Sequence, residues 1–165
     1  MGLWTYTLMV EGRGMPAGQA AWIASLFWGG LTGGRIVAAA VAGRVPPRVL
    51  LPLCLATVLA GVVLVWADAG FTASALGVAA AGMACGPIFP TLIATTPQRV
   101  GAMHAANAVG FQVGAAAAGI ALLPATVGAI AAGNGVTAIA PNFVVLAVLL
   151  VAGYAWLDAT RPASP

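Results

Sequence analysis

The chain has 165 residues, of which 62% are apolar and only 5% charged, with a mean hydropathy of +1.05. A soluble domain covers itself with charges at roughly a quarter of its residues, so a water-exposed globule is excluded and the solvent for this chain is lipid. The net charge of +3 rests on arginines set between long uncharged runs, a pattern that fits membrane orientation and argues against a nucleic-acid partner.

The apolar segments follow one another with short polar breaks. The first covers residues 2–10 and is closed by Glu11-Gly12-Arg13-Gly14 and Pro16. At about 1.5 Å per residue it reaches only part-way across a ~30 Å hydrocarbon core, so it is expected to be the end of a longer helix. The second covers 17–43, and Arg44-Val45-Pro46-Pro47-Arg48 separates it from the third, 49–66. Asp68 and Gly70 form the next turn, and a fourth span follows at 71–95. Thr96-Pro97-Gln98-Arg99 is expected to end it, because proline disfavours helical geometry in the residue before it. The fifth span, 104–132, is punctuated by Gly133-Asn134-Gly135, and the sixth runs over 139–157.

Barrel strands would alternate polar and apolar residues, whereas these runs are apolar on both phases, so every segment is read as helical. The expected fold is an all-α integral membrane bundle, five full transmembrane helices plus a truncated first one. Counting crossings puts Arg44, Arg48, Arg99 and Arg161 on one side, and Arg13, Glu11 and Asp68 on the other. The arginine-rich side is then cytoplasmic, with the C-terminus inside a cell inner (plasma) membrane. The N-terminus has no basic flank or small-residue cleavage pattern and does not read as a secretory signal. Cys54 and Cys85 lie within apolar runs, where a thiol packs as a small hydrophobe, so no disulfide, metal site or cofactor is expected.

Three stretches then resemble a known family. Trp28-Gly29-Gly30-Leu31-Thr32-Gly33-Gly34-Arg35 with Ala42-Gly43-Arg44-Val45-Pro46-Pro47-Arg48 is similar to the eighth helix, and the turn into the ninth, of the major facilitator superfamily. Gly82 to Thr91, reading G-M-A-C-G-P-I-F-P-T, resembles the tenth helix of its sugar-type members, including relatives of the fucose and glucose/galactose permeases. Gly110 to Gly119, with Pro124 and Gly128, resembles the eleventh. The likeness covers nearly the whole chain and implies the C-terminal six-helix half of such a permease. Two departures stand out. Gly43 sits where many members carry an acid, and the N-terminal half of the permease is absent. The resemblance also implies inverted three-helix repeats, and Phe27 to Gly30 and Phe111 to Gly114 share F-x-x-G in the middle helix of each triplet.

Ser25, Trp28, Thr32 and Arg35 follow helical spacing on one face of the second span. Arg35 is read as structural or gating, since an arginine at membrane depth faces a cavity or snorkels to water. Gly29 with Gly33, and Gly30 with Gly34, form overlapping small-x-x-x-small pairs suited to close helix packing. Pro87 and Pro90 remove backbone donors mid-span, either to line or bend a pathway or for packing alone. His104 reads as a surface residue at the boundary, while Asn107 or Gln112 must find a polar neighbour, an interhelical partner being the plain explanation. Aromatics near an interface are ordinarily belt anchors, but the sugar-transporter resemblance raises Tyr6 and Trp28 as cavity residues. The resulting candidate substrate-binding set is Tyr6, Trp28, Thr32, Asn107 and Gln112. The gating or structural set is Arg35, Arg44, Arg48, Pro87, Pro90, Gly29 and Gly33.

The resemblance therefore implies secondary active transport of a small polar, sugar-like solute by alternating access. The partners implied are the bilayer, the solute, and an N-terminal six-helix half or partner chain, so the polypeptide alone is expected not to transport. Efflux of a drug or metabolite, and a non-transporting helical module, are the alternatives. Catalysis is not expected, because no span holds a deep Asp or Glu and the chain has one histidine.

Overall fold

A computed structural model describes residues 1–160, and Arg161 lies outside the described residues. Among the described residues all regular structure is helical. A helical turn, α1 (Thr5–Thr7), widens into a π-helical turn at Leu8–Gly12. Then follow α2 (Ala17–Val41), α3 (Pro47–Trp66), α4 (Phe71–Val100), α5 (Ala102–Asn134), a 3₁₀ turn (Val136–Ala138) and α6 (Ile139–Ala159). Five of these helices are long and apolar enough to cross a membrane.

The helix boundaries reflect backbone chemistry more than hydropathy. Pro46 is extended and Pro47 is the first residue of α3, a position where the missing N–H has no intrahelical partner to lose. The stop expected at Thr96-Pro97-Gln98-Arg99 is corrected, since α4 runs through it to Val100. A proline in the last turn forfeits one hydrogen bond without ending the helix. The helix stops instead at Gly101, whose φ of +79° is in the glycine-favouring region and whose N–H caps the Pro97 carbonyl at 3.0 Å. α5 ends in the same way at Gly135, φ +88°. At ~1.5 Å per residue α4 and α5 are about 45 and 50 Å long, so they tilt or project beyond a ~30 Å core.

α4 is the hub, lying along α2 on one side and α3 on the other, with α6 packed on α3. Its crossing with α2 is made by glycine. A Cβ at Gly30 would sit 2.7 Å from the Ala79 carbonyl oxygen, and one at Gly86 would sit 2.6 Å from that of Leu31. Gly34 lies against Met83 and Gly82 against Phe27, again backbone to backbone. Two small-x-x-x-small pairs, Gly30/Gly34 and Gly82/Gly86, thus face one another and let main chains touch. The Met83 carbonyl is the acceptor that the missing N–H of Pro87 leaves free, and its oxygen lies against Gly34. α3 crosses α4 by the same device, with Gly61 and Gly77 each 2.6 Å, by added Cβ, from the other's carbonyl oxygen.

The expected Gly29–Gly33 seam is corrected: nothing lies within 4 Å of a Cβ at either residue. One step along a helix rotates the side-chain direction by about 100°, which turns this pair off the contact that Gly30 and Gly34 make. The core gathers Leu8, Met9, Ile23, Val62, Val65, Val78 and Phe143 from the N-terminal segment, α2, α3, α4 and α6. α5 contributes only Val127 and Ala131 to it.

Candidate functional site

The buried residues of α2 are Ala20, Ile23 and Gly34, with Phe27 and Gly30 turned the same way. At about 100° per residue, Ser25, Trp28, Thr32 and Arg35 lie roughly opposite, and all four are exposed. The stripe is therefore turned off the α2–α4 contact, with Trp28 beside the N-terminal segment at Gly2 and Arg35 beside Phe89 and Pro90. The Ser25 hydroxyl donates to the Trp22 carbonyl at 2.7 Å and that of Thr32 to Trp28 at 3.0 Å. Each oxygen retains lone pairs that can accept from a solute or water.

Three cavities surround this framework. The first, about 550 Å³, lies between the N-terminal segment, α5 and α6; Trp4, Trp28, Ile120, Leu123 and Phe143 give it an apolar wall. The second, about 850 Å³, holds Arg35 and Arg44 with Phe89 and Pro90. The third, about 650 Å³, holds Arg48 and Arg99 with Gln98 and Gln112. Pro46 and Pro47 line both of the last two. The double-proline turn thus divides four arginines two and two.

The candidate binding residues do not converge. Trp28 faces the first cavity and Gln112 the third, while Tyr6, Thr32 and Asn107 line none of these three. Tyr6 and Asn107 are exposed. Gln112 meets Thr96 across the α4–α5 contact, Oε1 to Oγ1 3.0 Å, and the Thr96 hydroxyl also approaches the Leu92 carbonyl at 2.9 Å. One hydroxyl proton cannot serve both acceptors; with the amide turned over, Gln112 donates to Thr96 and Thr96 to Leu92. The interhelical explanation thus accounts for Gln112. Pro87 is buried at the α2–α4 crossing, whereas Pro90 is exposed at the second cavity. Arg44 donates to the Ala40 carbonyl at 2.8 Å, and His104 is exposed in the first turn of α5.

The most completely satisfied polar group is one the sequence treated as a loop charge. Arg13 has a side chain 9% exposed, with Nε 2.9 Å from the Asp68 carboxylate. It also donates to Ser74 Oγ at 2.8 Å and to the Val65 carbonyl. Burial lowers its pKa from the ordinary arginine value, and the Asp68 carboxylate opposes that shift. Asp68, at φ +50°, and Gly70, at φ +92°, shape the turn that brings the carboxylate in. This node ties the end of the π-helical turn to the α3–α4 connection. Crossing alternation, which puts Arg13 and Asp68 on the same side with opposite signs, was its only signal in the sequence.

Two further features escaped the sequence reading. Gly82 and Gly86 carry the spacing noted at Gly30 and Gly34, within a stretch valued for another resemblance. Trp4 Nε1 donates to the Pro124 carbonyl at 3.0 Å, and its ring fills the notch at Gly128, where a Cβ would lie 2.7 Å from it.

The class defined by these helices is a multi-pass helical membrane protein. No family model, curated protein or solved structure matches the chain.

Proposed function

We propose that this chain is one six-helix half of a secondary transporter for a small polar, sugar-like solute, working by alternating access against a second bundle. The observation that carries the proposal is the α2 stripe of Ser25, Trp28, Thr32 and Arg35, exposed and turned off the glycine contact with α4. Polar groups at membrane depth are costly against lipid and belong beside protein or water. A second bundle, on the same polypeptide or another, would enclose them around a water-filled path. The major facilitator resemblance of the Trp28 to Arg48 region supports the same assignment.

The test uses single cysteines at Ser25 and Thr32 in a chain with Cys54 and Cys85 replaced by alanine, in native membranes. Labelling by a membrane-impermeant maleimide, slowed by added hexose, is the expected result. No labelling, at an expression level equal to wild type, would overturn the proposal. The apolar wall of the 550 Å³ cavity, lined by Trp4, Trp28 and Phe143, favours efflux of lipophilic compounds as a second reading. Protection by a lipophilic cation and none by hexoses would select it.

The arginine bias further supports a plasma-membrane topology with the Arg44 to Arg48 turn and the C-terminus in the cytoplasm. In intact cells, a cysteine at Ala69 is expected to label from outside and one at Arg48 is not. The reverse pattern inverts the topology.

A further inference from the structure

We propose that the cleft holding Arg48 and Arg99 is a binding site for a phosphate-bearing anion, and that its source is the headgroup of an anionic phospholipid. The cleft, about 650 Å³, lies at the end of the bundle where the start of α3 meets the ends of α4 and α6 beside α5. Arg48 comes from the first turn of α3 and Arg99 from the last turn of α4, and Gln98 stands next to Arg99. Among the described residues no hydrogen bond or ion pair engages either arginine side chain.

The contrast with Arg13 and Arg44 is informative. Arg13 has a carboxylate, a hydroxyl and a carbonyl around it, and Arg44, across the double-proline turn, donates to the Ala40 carbonyl near the end of α2. Among the described residues no carboxylate lines the Arg48–Arg99 cleft. Asp158 is next in sequence to the lining residue Leu157 but is itself engaged and does not line the cleft. Arg48 and Arg99 thus line one cleft with no counter-charge among its described lining residues, and like charges on one cleft repel each other. A phosphate relieves that repulsion and accepts paired N–H groups from each planar fork.

The choice of lipid over free phosphate rests on the walls. Leu92, Val100 and Leu157 line the same cleft, an apolar surface that a hydrated inorganic anion would leave uncovered and an acyl chain would cover. Basic pockets between membrane helices recognise anionic headgroups by this combination of charge and apolar wall.

The experiment is native mass spectrometry of the purified chain released from nanodiscs containing equal phosphatidylglycerol and phosphatidylcholine. Retention of phosphatidylglycerol is expected to exceed that of phosphatidylcholine by roughly thirtyfold, the weight of two arginines beside an anionic headgroup. Arg48→Gln with Arg99→Gln is expected to abolish the preference, and Arg44→Gln to keep it. On the wild-type chain alone, high salt should shrink the preference, a readout independent of whether the double variant folds. Inorganic phosphate should neither displace the lipid nor raise the melting temperature; if it does both, the phosphate site stands and its source is the soluble anion. Equal retention of the two lipids, or an undiminished preference in a folded double variant, would overturn the proposal.

Discussion

Where α2 crosses α4, four glycines put main chain against main chain; where α5 joins the rest, Trp4 to Pro124 and Thr96 to Gln112 span the gap with side chains. The first contact has no rotamers to lose and no long side chain to slide, so the two helices move as one body. The second exposes Phe111, Ile120 and Leu122 and buries little of α5. Elements with few buried contacts open first. A bundle built this way has a tightly joined α2–α3–α4 block and one helix, α5, held to it mainly by side chains.

The largest expected effect tests the seam. Gly34→Leu and Gly82→Leu should each exceed the ~1–3 kcal/mol usual for overpacking, because the obstructing atoms are backbone. Gly33→Leu, one residue away, should leave thermal unfolding in detergent near wild type. Equal melting temperatures for Gly33→Leu and Gly34→Leu would break the distinction between the two faces of α2.

Next comes a side-chain link that is buried. Arg13→Ala removes the partner of Asp68, Ser74 and the Val65 carbonyl and should cost about 1–3 kcal/mol. If it costs no more than changes on α5, burial is not what separates strong side-chain links from weak ones here.

Smaller effects belong to α5 itself. Trp4→Phe keeps a ring in the Gly128 notch but loses the bond to Pro124, at an expected cost of about 1 kcal/mol. Hydrogen exchange should quicken in α5 and stay unchanged in α2 and α4; a uniform rise would mean that α5 is not a separate unit. Gln112→Leu should do least, about 0.6 kcal/mol, the average for an interhelical hydrogen bond in a membrane, since Thr96 keeps the Leu92 carbonyl.

The order of the segments was legible because charges, or at Gly133-Asn134-Gly135 glycines and an amide, interrupt the apolar runs at each turn, and the polar face of α2 because its four residues repeat at helical spacing. The choice between Gly29/Gly33 and Gly30/Gly34 was not. Both pairs have the same spacing, and in lipid an outward face is as apolar as an inward one, so no hydropathy difference marks the packed side. The end of α4 was misplaced because Pro97 reads as a breaker, while the terminating geometry lies at Gly101. Arg13 looked like a loop charge because Asp68 and Ser74, the residues that enclose it, are remote in sequence. For the candidate binding residues, spacing revealed which ones share a helix face, but not which helices would bring them to a common cavity. Trp28 and Gln112 face different ones.

The main-chain character of the α2–α4 contact also has a genetic consequence. In a side-chain interface, an enlarged residue can be rescued by shrinking the one it strikes. At Gly34 the obstacle is the backbone of Met83, and no codon change at position 83 makes a peptide group smaller. A selection for second-site revertants of Gly34→Ala should therefore return changes that let α4 shift as a body, at its turns or on its α3 face, and none at Met83 itself.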